Sequence, residues 1–169
     1  GGLFQDAAEA ERIVMSYHPT QFRDFVTATL QGFTPIPFSE KAVTILLMTA
    51  AHESDLGRFL KQNPGPARGA WQMEPATLDD HLAWMKAKRP EMFARLEELR
   101  PPALTPRDAV MLCLPYACIM ARVHYFRRPD PIPETLQGMS ELAKRVFNTM
   151  AGKATPEKYL DAYRKFYGD

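Results

Sequence analysis

At 169 residues the chain is long enough to bury a hydrophobic core without metal or disulfide support, and one domain with one active site is expected. Its 21 Lys and Arg stand against 20 Asp and Glu, a net charge of +1, so no general field exists for gripping nucleic acid or an anionic membrane. The most apolar run, Ala42 to Ala51, is far shorter than the roughly 18 residues of a membrane span and reads as a core helix.

Turn residues cut the chain into short helical blocks, and the 15 prolines fall mainly between them, so the expected fold is mainly α. Asp6 to Tyr17 is amphipathic and is stopped by His18-Pro19; a second helix, Thr20 to Gln31, meets Gly32 as its C-cap. Thr34-Pro35-Ile36-Pro37 is an extended connector. Ser39 can cap the next helix, whose interior is apolar nearly all round, so it should run through the middle of the domain and end near Glu53. From Ser54 to Pro75 the periodicity fails and glycines and prolines accumulate, which predicts turns and a small irregular or β element. Thr77 is expected to cap a helix from Leu78 to about Lys88, broken at Arg89-Pro90. Glu91 to Leu99 then resumes helical spacing. Thr105-Pro106 opens a long apolar helix to about Tyr125, kinked at Pro115, on which Cys113 and Cys118 project from different faces as unbridged thiols. After the rigid Pro129 to Pro133 connector come helices over Thr135 to Phe147 and, capped by Thr155-Pro156, over Glu157 to Phe166.

The chemistry most legible in this pattern is a carboxyl at the end of a buried apolar helix, Glu53. A carboxyl carried into apolar surroundings has its charged form disfavoured and keeps a proton available, as an acid that protonates a leaving oxygen requires. On spacing alone the alternative, a solvated helix-end residue, carries equal weight. His52-Glu53 is no zinc-protease helix, because Leu56 stands where a second histidine is needed. His18, His52, His81 and His124 lie far apart in sequence, so neither a metal nor any other cofactor is expected. Asp79-Asp80-His81 reads as dipole-favoured residues in a first helical turn. Arg122, Arg127 and Arg128 read as a solvated basic face rather than a nucleic-acid patch.

The residues after Glu53 carry a resemblance. Glu53-Ser54, followed by Gly65-Pro66-Ala67-Arg68-Gly69-Ala70-Trp71-Gln72-Met73-Glu74-Pro75, resembles the glutamate-serine and Gly-Ala-x-Gly-Leu-Met-Gln-x-x-Pro signature of the soluble lytic transglycosylase family. Lys144-Arg145-Val146-Phe147-Asn148-Thr149-Met150-Ala151-Gly152 falls where that family has its Ala-Tyr-Asn-Ala-Gly element. The compact size and the Asn-Thr pair are similar to wall-degrading domains of tailed phages.

The resemblance implies an α+β lysozyme-like domain over residues 1–169, supported by motifs from 39 to 169. It also implies cleavage of the bond between N-acetylmuramic acid and N-acetylglucosamine in peptidoglycan glycan strands. Glu53 would be the acid/base that yields 1,6-anhydro-muramoyl ends, with Ser54, Gly69, Gln72, Met73 and Asn148 around the substrate. Phe147 replaces the family's tyrosine, so Tyr116 or Tyr125 is expected to supply the missing hydroxyl. Trp71 can stack on a sugar ring or sit in the core as a buried indole. Arg122, Arg127 and Arg128 could meet peptide-stem carboxylates. The start of the chain lacks a basic segment followed by an apolar stretch, so no signal peptide is expected. Such a protein would be made in the cytoplasm and reach the wall or periplasm by another route, such as a phage virion whose tail components would be partners. The alternatives are a hydrolytic lysozyme on the same fold, with Asp55, Glu74, Asp79 or Asp80 as second carboxylate, and a catalytically silent virion or wall-binding protein.

Overall fold

The computed structural model describes residues 16–148 and 152–169. Eight helices make up the described fold: α1 (Pro19–Gly32), α2 (Glu40–Ser54), α3 (Pro75–Lys88), α4 (Pro90–Leu99), α5 (Pro106–Leu112), α6 (Leu114–Phe126), α7 (Leu136–Phe147) and α8 (Pro156–Tyr167). The protein is mainly α. The helix expected over Asp6 to Tyr17 falls almost wholly outside the described residues, and its last two positions, Ser16 and Tyr17, are not helical.

Helix α2 is the axis of the fold. The Ser39 hydroxyl accepts from the Ala42 amide at 3.3 Å and fixes the helix start. Ala42, Val43, Ile45, Leu46, Leu47, Met48, Ala50 and Ala51 are all buried, so no face is left for water, and α1, α6, α7 and α8 pack around it. Its end is enforced by left-handed backbone at Asp55 (φ 53°) and Leu56 (φ 57°), which turns the chain sharply just after Glu53.

Several boundaries differ from the sequence reading. Gly32 is the last residue of α1 rather than its cap, a position taken by Phe33. Thr77 lies inside α3, whose N-cap is Glu74 with no side-chain cap bond, because Pro75 can occupy the first turn without the amide it lacks. The kink expected at Pro115 is a complete break: α5 and α6 meet at 103°, with Cys113 between them. Proline offers no N–H to Met111, and its ring would strike that carbonyl, so the helix restarts instead of bending through. Cys113 and Cys118 are free thiols, Cys118 fully buried. The α+β expectation is also reduced: the described residues hold no strand, only isolated antiparallel bridges pairing Lys61 with Arg68 and Arg68 with Met73. No single described helix is long and apolar enough to cross a membrane.

Candidate functional site

Glu53 lies in the last turn of α2 with its side chain 18 % exposed, at the edge of a cavity of about 360 Å³. The cavity is also lined by Gln72 and Met73 from the loop after α2, by Phe147 and Asn148 from the end of α7, and by His124 and Arg128 from around the end of α6. Four residues proposed from sequence, Glu53, Gln72, Met73 and Asn148, thus share one cleft although the chain separates them widely.

The loop from Gly57 to Met73 is held by its own backbone. Arg68 and Met73 exchange both amide–carbonyl bonds, at 3.0 and 2.9 Å, and Gln72 takes a left-handed φ of 49° between them. Its Nε2 donates to the Gly69 carbonyl at 2.9 Å, which fixes the side chain on the cleft wall. The Met73 amide is engaged by the Arg68 carbonyl and is not free to donate into the cleft. Gly69 is required where the loop meets α5. At φ 84° a side chain there would place Cβ 2.1 Å from the Val110 carbonyl, so the glycine lets the loop sit on α5 rather than letting backbone approach a sugar.

Ser54 is a structural residue and does not reach the cleft. It is fully buried, its hydroxyl donates to the Ala70 carbonyl at 2.6 Å, and it accepts from the Gly57 amide at 2.8 Å. The Glu53 helix end and the Gln72 loop are tied together through this one side chain. Trp71 is likewise core, 1 % exposed, with its indole N–H on the Leu46 carbonyl at 2.9 Å and its ring on Phe22 at 5.7 Å. Asn148 caps α7. Its Oδ1 accepts from Lys144 Nζ at 3.1 Å, and Gly152 lies so close that a Cβ there would meet the same oxygen at 1.5 Å.

The hydroxyl facing Glu53 comes from neither expected tyrosine. Tyr159, on α8, donates to Glu53 Oε1 at 2.8 Å, and its ring stacks on His52 with centroids 3.9 Å apart. Burial and the Glu53 charge both push the Tyr159 phenol well above its usual range, so it stays a donor. No other hydrogen-bond donor reaches the Glu53 carboxyl among the described residues; His52 Nδ1 stands at 3.6 Å. Tyr125 is buried behind the site, sharing a 2.7 Å hydrogen bond with Thr49 and packing on Phe147 at 5.1 Å. Tyr116 lies away from the cleft, facing Glu97, Arg100 and Cys113. Tyr159 was recoverable in principle. A final helix with Tyr159, Leu160 and Tyr163 on one stripe must bury that stripe, and a buried phenol needs a partner.

Two of the four histidines that lie far apart in sequence meet in the fold. His81 Nε2 and His124 Nδ1 lie 2.7 Å apart, Arg127 Nη1 is 2.9 Å from His81 Nδ1, and His124 Nε2 is 2.9 Å from the Val146 carbonyl. Arginine can only donate and a carbonyl can only accept, so the chain has one direction: Arg127 to His81, His81 to His124, His124 to Val146. Both imidazoles are neutral in it. Burial, reinforced by His124 and Arg127, pushes His81 down to about 3, and burial lowers His124 as well. The relay braces the cleft wall at Val146 and Phe147. Arg127 also pairs with Asp80 at 2.8 Å, while Asp79 pairs with Arg107 at 2.8 Å. Among the described residues no three His, Cys, Asp or Glu side chains converge as metal ligands.

The sign of the resulting pH dependence is fixed. Between pH 6.5 and about 3 the unfolded chain binds a proton at His81 that the folded chain refuses, so stability is full above 6.5 and is lost as pH falls. Within that window the slope for one such proton approaches ~1.4 kcal/mol per pH unit. Urea unfolding of His81→Gln and the parent at pH 7 and pH 5.5 should show the smaller acid loss in the variant; equal losses would mean His81 is protonated in the fold.

Compared with known proteins, the chain matches no family model, no curated protein and no solved structure. The reading of the site therefore stands on the cleft residues and on the motif resemblance.

Proposed function

We propose that this protein cleaves the glycan strand of peptidoglycan at Glu53, as a lytic transglycosylase. The observation that supports this best is the meeting of Glu53, Gln72 and Asn148 in one cleft, with a single phenol hydrogen bond holding one carboxyl oxygen of Glu53. In the proposed reaction the Glu53 carboxyl gives its proton to the glycosidic oxygen as the bond to the muramoyl C1 breaks. The resulting carboxylate then takes the proton of the muramoyl 6-hydroxyl as that oxygen bonds to C1, closing the 1,6-anhydro ring and regenerating the acid.

A second reading, a hydrolytic lysozyme, is favoured by one observation. Of the acidic residues considered as its second carboxylate, Asp55 is held by Lys165 at 2.8 Å, and Asp79 and Asp80 by arginines, whereas Glu74 lines the same cleft as Glu53. Mass spectrometry of muropeptides released from purified sacculi separates the readings. Anhydro-muramoyl ends are expected; reducing ends would assign Glu74 or a directly activated water, and no release would leave a wall-binding or virion protein.

A further inference from the structure

Among the described residues, no carboxylate stands within ion-pair distance of Arg122. Arg122 is partly buried on α6, and no acceptor among the described residues receives a hydrogen bond from its guanidinium. Its guanidinium lies 6.0 Å from the centre of the Phe126 ring, over which Arg89 also lies. Burial lowers the Arg122 pKa below the ordinary guanidinium range, so its desolvation is left uncompensated. The surfaces around it show where compensation could come from. Arg122 opens into a cavity of about 310 Å³ between the start of α2, the end of α6 and the connector that follows α6.

Three cations line this cavity, Lys41, Arg122 and Arg128, against one carboxylate, Asp130. Lys41 is already committed to Glu134 at 2.9 Å. Arg128, like Arg122, has no carboxylate partner among the described residues, so the two guanidiniums carry the unanswered charge. Most of the surface the cavity exposes is polar, with Ser39, two prolines and the edges of Tyr125, Phe126 and Ile132 completing the lining. Arg128 also lines the Glu53 cleft, and the wall between the two spaces is the Tyr125–Phe147 ring pair.

We propose that this cavity binds a carboxylate-terminated peptide branch of the substrate strand, with Arg122 and Arg128 as the groups that take its carboxylate. The assignment rests on the peptidoglycan reading, in which each muramoyl sugar carries such a branch. A guanidinium meets a carboxylate through paired N–H donors, which suits two arginines that have no other acceptor. Asp130 is placed to accept an N–H of the same branch. Arg128 lines both spaces, so the cavity stands beside the cleft in which the sugar would sit.

The test uses the full chain and the free stem tripeptide L-alanyl-γ-D-glutamyl-meso-diaminopimelate, with no glycan attached. Nuclear magnetic resonance of the arginine Nε–Hε groups should show Arg122 and Arg128 responding to the tripeptide, while Arg89, held by Glu91 and the Pro35 carbonyl, stays still. Arg122→Gln should weaken binding by about tenfold or more, the loss of one charge-assisted contact, and Arg122→Lys should recover part of it. Silence of Arg122 and Arg128 in the parent protein would overturn the proposal, as would equal responses to inorganic phosphate at the same concentration. The parent titration depends neither on a variant folding nor on glycan cleavage. Failure to release muropeptides from sacculi would therefore sink the enzymatic reading alone, whereas release with silent arginines would sink the cavity assignment alone.

Discussion

Glu53→Gln is expected to lower muropeptide release from sacculi by about 10²- to 10⁴-fold, the usual contribution of general acid catalysis, with thermal unfolding unchanged. Glutamine keeps the length and shape of the side chain, and its carbonyl oxygen can still accept the Tyr159 hydroxyl now 2.8 Å from Oε1. What it removes is the proton that the leaving oxygen must take. Tyr159→Phe is the informative control, because it deletes only the hydrogen bond that orients the acid. A fall of about tenfold, mainly in kcat, is expected there, in line with the loss of one buried hydrogen bond. Sacculi cleared as fast by a folded Glu53→Gln protein as by the parent would remove Glu53 from the reaction.

Trp71→Ala should cost about 3–5 kcal/mol of stability, the range for deleting a large aromatic from a packed core. That is a large share of the roughly 5–15 kcal/mol that holds a typical domain together. The indole is 1 % exposed, packs on Phe22, and satisfies the Leu46 carbonyl in the middle of α2, so its loss opens a cavity against the axis of the fold. The urea midpoint should drop sharply, while the fraction that remains folded should keep its activity. A variant with parental stability and no activity would instead make Trp71 a platform for a sugar ring.

Glu53 and Trp71 are both residues that the sequence singles out. The beginnings of α2, α5, α7 and α8 were readable because Ser39, Thr105, Thr135 and Thr155 each accept from an amide three residues on, a bond that local sequence controls. The burial of α2 was readable from its lack of any polar face. Glu53, Gln72 and Asn148 were readable as a set only through the motif resemblance, since no periodicity links them. The break at Cys113 was not: a proline after an apolar helical run fits a kink or a restart equally well, and packing chooses between them.

Local chemistry therefore determined where the helices start, which one is central, and that a carboxyl ends it. The tertiary structure alone decided what stands around that carboxyl. Tyr159 rather than Tyr116 or Tyr125 reaches Glu53, Ser54 turns inward to the Ala70 carbonyl, and His81, His124 and Arg127 join into one relay, because α2 meets α8 and α3 meets α6 at particular points of their length. Capping and periodicity act within a few residues of the chain, whereas these contacts are set by the angles at which buried helices pack.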